Sequence, residues 1–383
     1  MLELHVLGTS SARPAHGRQV SGSVVNTPSG QILVDCGEGL QQRMQQHSKR
    51  LKAAGMQQRL RHTRIRLILL THGHLDHTWG VLPLLQSMSL DGRNKPLLIA
   101  GPISDISFEA MLQAGSDVFL DDPQIPRVDL ARQWQQWWSF GATSAELGFD
   151  VSWYAVDHSS GERWMQLDPD AGTSQALEQA PVLLDGIRVR PHETLHSVPS
   201  CAWSVSLLDR AGRFNRQKAD ALGLSDAQVG NLAAGDDIEF DGVSLEAEGF
   251  RGPTRPAPSL LISGDTGCEV PAFAELREQG YGPFLLIHES TYTEEREDKA
   301  RQWLHSTAKD AARAALAMGA EHLLLTHYSS RIEDPRSVLV EARELHPSVA
   351  AANDGDLIRM DMDGGIDLLR WDGNGWSQHE DAF

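Results

Sequence analysis

Residues 64–77 read RIRLILLTHGHLDH, an apolar run that breaks abruptly into a polar turn. Within six positions of that turn fall His72, His74, Asp76 and His77. Two histidines spaced two apart on a tight turn can hold one cation through imidazole nitrogens, while the aspartate and the last histidine can face a second cation close by. These groups cannot complete two coordination spheres, so a metal reading requires ligands from elsewhere in the chain. The opposing reading is a polar loop whose histidines bond to backbone carbonyls, and it stands unless such ligands are found.

They occur at the ends of other apolar runs. VLLDGIRVRPHETL leads to His196, SLLISGD ends on Asp265, and EHLLLTH ends on His327. Each is a β-type segment followed by a polar residue. In a layered α/β protein the ends of buried strands converge on one edge, where sites are built. An aspartate shared by two histidine sets would neutralise two dications and hold them near each other. Packing alone does not explain metal-binding groups at four separate strand ends, and the pattern is read as a metal centre.

The rest of the composition sets limits. A chain of 383 residues suffices for one large domain or two ordinary ones. With 40% hydrophobic and 22% charged residues, a packed core is expected and disorder is not. No apolar stretch approaches the roughly 18 residues of a membrane span. The opening MLELHVLG carries Glu3 and no basic region, so it reads as a strand with Leu2, Leu4 and Val6 on one face, not as a signal peptide. Cys36, Cys201 and Cys268 make no even framework, and buried thiols in a reducing cytoplasm are expected.

A net charge of −18 argues, on average, against a polyanionic partner. The distribution says otherwise. Between Glu38 and Asp76 there is no acid, while Arg43, Lys49, Arg50, Lys52, Arg59, Arg61, Arg64 and Arg66 all fall there. The first part, LQQRMQQHSKRLKAAG, has helical spacing and stops at Gly55. Arg43, Lys49, Arg50 and Lys52 on this helix are the candidate phosphate contacts, and the far end of the basic segment that runs from Arg43 to Arg66, one strand before HGHLDH, is expected near the metals. Residues 105–185 carry fourteen acids, three bases and five of the ten tryptophans. Leu130, Trp134, Trp137 and Trp138 share one side of a helix and read as packing, not as base stacking. DPDAGTSQ and EGFRGPTRPAP read as loops.

At this point the chain resembles the ribonuclease Z family of the metallo-β-lactamase superfamily. LGTSSARP (7–14), DCGEGLQQR (35–43), HGHLDH (72–77), HESTY (288–292), HSTAKDAA (305–312) and THYSSR (326–331) carry the resemblance in order. It implies a four-layer αβ/βα sandwich, an α/β fold of the metallo-β-lactamase type, as a single domain over residues 1–383. About residues 105–185 would be an acidic, Trp-rich insertion, and about 209–258 a divergent arm region with nine acids and six bases. The resemblance implies two zinc ions per chain. His72, His74 and His196 would hold the first, Asp76, His77 and His327 the second, and Asp265 would bridge. His196 is preferred to His192 because only it is followed by VPS, and His288 is read as structural. Asp76 would accept a proton from the attacking water, and His305 would donate one, oriented by Glu289. Thr307 and Asp310 resemble a capping box that sets His305 at a helix N-terminus. The implied activity is removal of the 3′ trailer from a tRNA precursor by a cytoplasmic homodimer, leaving a 3′-hydroxyl on the tRNA and a 5′-phosphate on the trailer. The alternatives are a phosphodiesterase or ester hydrolase of the same superfamily acting on a small molecule, and a non-catalytic RNA-binding scaffold.

Overall fold

The N-terminal run forms the strand Leu2–Gly8, and all seven of its residues are buried. One buried face was expected, but the other is covered as well. There the helix Leu40–Ala53 lies over the strand, and its His47 meets His5 at 2.9 Å. Glu3 is tolerated on this face because Asn26 Nδ2 (2.9 Å) and Arg359 Nε (3.1 Å) both donate to its carboxylate. The computed structural model describes residues 1–56, 59–159, 161–379 and 383.

Leu2–Gly8 belongs to a sheet of eleven strands. From one edge these are Trp376–Gln378, Ile366–Trp371, Leu357–Met360, Leu2–Gly8, Gly22–Thr27, Gly30–Val34, Ile65–Leu69, Leu97–Ile103, Val151–Asp157, Trp164–Asp168 and Thr173–Leu177. The pairings from Gly30–Val34 through Val151–Asp157 are parallel, so these strands end on the same edge. A second sheet of six runs Val349–Ala351, His322–Thr326, Leu285–Glu289, Ser259–Ile262, Cys201–Leu207 and Ile187–Glu193, and its first four strands are parallel.

Helices pack on both sheets. Leu40–Ala53, Val81–Leu90, Asp105–Ala114 and Leu130–Ser139 share a core with the larger sheet. Pro271–Glu278, Ala308–Met318 and Arg336–Arg343 share one with the smaller, where small side chains (Ala308, Ala311, Ala312, Ala315) let the helix approach closely. The sheets meet face to face: Trp203 Nε1 donates to the Leu70 carbonyl (2.9 Å), and its ring lies 6.2 Å from that of Trp164. This is the expected four-layer αβ/βα sandwich.

The acidic, Trp-rich residues 105–185 extend the larger sheet. Val151–Asp157 adds in parallel to Leu97–Ile103, and a hairpin follows. DPDAGTSQ is the turn of that hairpin, not a free loop: Asp168 ends one strand and Thr173 begins the next. The tryptophan stripe is core, as the helical pattern indicates. Trp134, Trp137 and Trp138 surround Trp153 at centroid distances of 5.7, 6.4 and 5.5 Å. The three cysteines are free; Cys36 and Cys201 are buried, whereas Cys268 is half-buried.

Residues 207–257 form a compact unit of their own, the remainder of the chain being the other. That unit has the helices Arg216–Ala221 and Asp226–Ala234, a short hairpin (Ile238–Phe240 with Val243–Leu245) and a small core of Ala219, Leu224, Val229, Leu232, Ala247 and Phe250. Among the described residues no helix is long and apolar enough to cross a membrane.

Trp153 is fully buried at the centre of the tryptophan cluster. Trp153→Ala is expected to destabilise the protein by roughly 3–5 kcal/mol, the usual cost of emptying a large aromatic site. Denaturant unfolding of the two proteins measures it.

Candidate active site

The strand Ile65–Leu69 ends beside Gly30–Val34 with Val34 opposite Leu69, so the DCG segment and the THGHLDH turn leave the sheet together. Asp35, in the left-handed region (φ 57°), turns its carboxylate into this junction. It accepts from Thr71 N and Thr71 Oγ1 (both 2.8 Å) and from His77 Nδ1 (2.7 Å). On the other side of the turn, Gly37 has no room for a side chain: a Cβ there would lie 2.2 Å from the Asp76 carbonyl.

The residues expected from four strand ends do converge. His72 Nε2 lies 3.0 Å from His74 Nδ1, and His74 Nδ1 lies 3.1 Å from His196 Nε2. His77 Nε2 and His327 Nε2 are 3.3 Å apart, and each is 3.2 Å from Asp265 Oδ1. Asp76 Oδ2 is 3.7 Å from His77 Nε2 and 3.6 Å from His327 Nε2, while Asp265 Oδ2 is 3.7 Å from His72 Nε2. Two donor clusters result, His72, His74, His196 and Asp265 in one and Asp76, His77 and His327 in the other, with donor atoms within 4.8 Å of one another. His192 is not among them; it bonds to Ser204 Oγ (2.8 Å). His288 is buried and bonds to the Glu289 carbonyl (2.8 Å).

Proton bookkeeping tests whether these clusters suit a cation. Asp35 holds a proton on His77 Nδ1, and the Leu304 carbonyl holds one on His196 Nδ1 (2.9 Å). Thr291 Oγ1 gives its own hydrogen to an oxygen acceptor and therefore accepts from His327 Nδ1 (2.9 Å). Thr71 Oγ1, committed to Asp35, likewise accepts from His72 Nδ1 (3.1 Å). In the neutral rings the opposite nitrogens then carry lone pairs, and those of His77 and His327 face each other across 3.3 Å, while those of His72 and His196 both converge on His74 Nδ1. Such an arrangement is repulsive unless a cation lies between. The edge of a tetrahedron built on roughly 2.1 Å zinc–nitrogen bonds is about 3.4 Å, close to these separations. Asp265 Oδ1 is buried and has no hydrogen bond, although two imidazole nitrogens are near it. The donor set fits divalent metal.

Electrostatics agree. Burial, joined by the neighbouring rings, pushes His74 down to about 4 and His72 well below the ordinary imidazole value, leaving both neutral and free to ligate. Burial also acts to lower His77, but Asp265, Asp35 and Asp76 outweigh it and hold the ring well above its usual value. Without bound cations, these carboxylates can draw positive charge only from protonated imidazoles. Asp76 is held below the usual carboxylate range: burial opposes this, but the His77 and His327 rings beside it prevail. Its Oδ2 also accepts from Ala12 N (2.7 Å).

Beside the clusters, His305 Nδ1 bonds to Glu289 Oε1 (2.8 Å) and lies 3.9 Å from Asp265 Oδ2. Burial would lower His305, but Glu289 overcomes it and pushes the ring up to about 9. Glu289 is itself buried and accepts from Thr266 N (2.8 Å) and Thr291 N (3.3 Å). The capping box expected downstream is present: Thr307 and Asp310 cap the helix Ala308–Met318. Neither His305 nor Glu289 takes part in it.

Comparison with known proteins decides the family. The metallo-β-lactamase superfamily profile matches residues 16–88. Ribonuclease Z of Methanosarcina acetivorans is 30% identical over 357 residues, 92% of this chain and 96% of its own. The chain belongs to the ribonuclease Z family. Ribonuclease Z of Haloferax volcanii is likewise 30% identical, over 94% of this chain and 96% of its own. Among solved structures, human tRNase Z, short form, shares the fold with a TM-score of 0.55 at 21% identity, covering 94% of this chain and 100% of that one.

The basic segment from Arg43 to Arg66 departs from expectation in one respect. Its near end adjoins the candidate site, since Gly37 touches the HGHLDH turn. The far end, with Arg59, Arg61 and Arg64, was expected near the metals but precedes the strand Ile65–Leu69. A five-residue strand, roughly 16 Å long, separates the two. Lys49 and Lys52 are exposed and line a groove there of about 600 Å³. Arg43 is taken up by Asp354 (3.2 Å) and the Gly17 carbonyl (2.8 Å). Arg50 lies half-buried against Gly355.

Asp35, Thr71, Thr291 and the Leu304 carbonyl escaped the sequence reading as site groups. The first and third stand inside DCGEG and HESTY, so their motifs were visible but their roles were not. Asp35→Asn keeps the shape but cannot serve as carboxylate acceptor to both Thr71 and His77. It is expected to weaken metal affinity by about 10- to 100-fold, as measured by competition with a chromophoric chelator.

Proposed function

We propose that the chain is a zinc-dependent endoribonuclease that removes the 3′ trailer from tRNA precursors, leaving a 3′-hydroxyl on the tRNA and a 5′-phosphate on the trailer. Kinship with ribonuclease Z proteins across more than nine-tenths of the chain carries the reading. The convergence of seven metal-binding side chains supports the hydrolytic chemistry.

His72, His74 and His196 would hold one ion, Asp76, His77 and His327 the other, and Asp265 would bridge them. Zinc suits mixed imidazole and carboxylate donors, and bound there would supply Lewis acidity toward the phosphodiester and a water of lowered pKa. Asp76, its Oδ2 steadied by Ala12 N–H, takes the proton of the attacking water. The water oxygen bonds to phosphorus in line as the bond from phosphorus to the tRNA 3′-oxygen breaks. His305, kept protonated by Glu289 at Nδ1, delivers the proton on its other nitrogen to that departing oxygen.

On the RNA side, the nine acids and six bases of residues 209–258 make poor phosphate contacts. Lys49 and Lys52, in the basic groove, would hold the body of the RNA away from the cut. Arg43 would contribute least, because its charge is already paired. We further propose that the enzyme works as a cytoplasmic homodimer, which light scattering of the purified protein tests.

Incubation with a 3′-extended tRNA precursor is expected to give a single cut at the trailer junction with the stated ends. Intact precursor, with hydrolysis of bis(p-nitrophenyl) phosphate retained, would instead mark a small-molecule phosphodiesterase.

Asp76→Ala should abolish turnover with the fold kept. His305→Ala should slow cleavage by about 10²- to 10⁴-fold with metal content unchanged. A wild-type rate in His305→Ala would remove it from the mechanism. Replacing Lys49 and Lys52 by glutamate should weaken precursor binding and flatten the slope of log affinity against log salt by about 0.9 per lost phosphate contact. Hydrolysis of bis(p-nitrophenyl) phosphate should survive that change.

A further inference from the structure

The acidic, Trp-rich segment carries no residue of the proposed centre, yet it reaches the metal-binding turn through one side chain. Gln133, on the helix Leu130–Ser139, is 7% exposed. Its Nε2 donates to the Gly73 carbonyl (2.5 Å) and to the Val128 carbonyl (2.8 Å). Its Oε1 accepts from Thr78 Oγ1 (2.8 Å). Gly73 lies between His72 and His74, and Thr78 directly follows His77. A single carboxamide therefore ties the first part of the ligand turn to its end. The fit leaves no slack: a Cβ on Gly73 would lie 1.7 Å from the Val128 carbonyl oxygen and 2.9 Å from Gln133 Nε2.

The helix that presents Gln133 is itself fixed. Asp129, 1% exposed, accepts from Ala131 N (2.9 Å), capping the helix, and from Ser104 N (3.0 Å), just past the end of Leu97–Ile103. Trp134, Trp137 and Trp138 then lock the helix around Trp153. An imidazole ligand must hold its orientation to a few tenths of an ångström, and a turn anchored at both ends loses less order when a cation leaves.

We propose that Gln133 is a positioning residue for the metal-binding turn, and that the tryptophan core of residues 105–185 serves to hold it there. The proposal rests on the metal reading of the site and is independent of the RNA substrate.

The test uses the full chain and zinc alone. Gln133→Leu and, separately, Thr78→Val, a replacement of nearly equal shape, should each lower zinc affinity in chelator competition by about 10- to 100-fold. Both should alter the visible d–d spectrum of the cobalt(II)-substituted protein. At saturating zinc, kcat for bis(p-nitrophenyl) phosphate should fall with KM little changed. Gln135→Leu is the control, since among the described residues the Gln135 side chain bonds only to the Ser116 and Val118 carbonyls (3.0 and 2.7 Å) in the same segment. Its affinity and cobalt spectrum should match the unaltered protein even where the melting temperature falls. Unchanged zinc affinity and cobalt spectrum in Gln133→Leu and Thr78→Val would overturn the proposal, and so would equal losses in Gln135→Leu. Absence of zinc binding by the unaltered protein would overturn the metal reading itself, a different failure from either of these.

Discussion

Asp265 Oδ1 is buried, 3.2 Å from two imidazole nitrogens, and accepts no hydrogen bond. A carboxylate oxygen in that state costs several kcal/mol of solvation unless a cation balances it. The rest of the site follows from that demand. Asp265 stands just past the end of Ser259–Ile262, His327 just past His322–Thr326, and the HGHLDH turn just past Ile65–Leu69. Two sheets packed face to face bring these ends together, which a single sheet could not do.

Four of the five imidazoles are aimed by what holds their far nitrogens. Asp35, Thr71, Thr291 and the Leu304 carbonyl occupy the Nδ1 positions of His77, His72, His327 and His196. Apart from Thr71, none of these groups lies next in sequence to the ring it holds, and they come from both sheets. The acid–base pair is built the same way. Glu289 is satisfied by backbone and hydroxyl donors and gives its remaining capacity to His305. Of the six described non-glycine residues in the left-handed region, three belong to this geometry: Asp35 (φ 57°), His327 (φ 58°) and Leu304 (φ 53°).

The residues that converge at the candidate site were legible in the sequence because strand-end residues follow a simple rule: an apolar run, then a polar residue at its close. Asp35 and Thr291 were visible only as letters in motifs, since their partners are 36 to 42 residues away from one and 36 from the other. Gln133 gave no signal at all; it reads as one more polar position on an amphipathic helix. Thr173–Leu177 escaped as a strand because an edge strand with largely exposed residues lacks the alternation that marks a buried one. The far end of the basic segment, around Arg59 to Arg64, lies away from the site for a directional reason: residues before a strand lie at its opposite edge from the residues after it. The distribution of charge along the chain was readable, but which cations are already paired, as Arg43 is with Asp354, required the fold.

The claim on which mechanism and positioning both depend is a pair of cations sharing Asp265. Diffraction from crystals grown with zinc, collected on either side of the zinc absorption edge, tests it most directly. The account predicts two anomalous peaks per chain, one among His72, His74 and His196 and one among Asp76, His77 and His327, with Asp265 between them. A single peak, or two peaks with Asp265 touching only one, would contradict it.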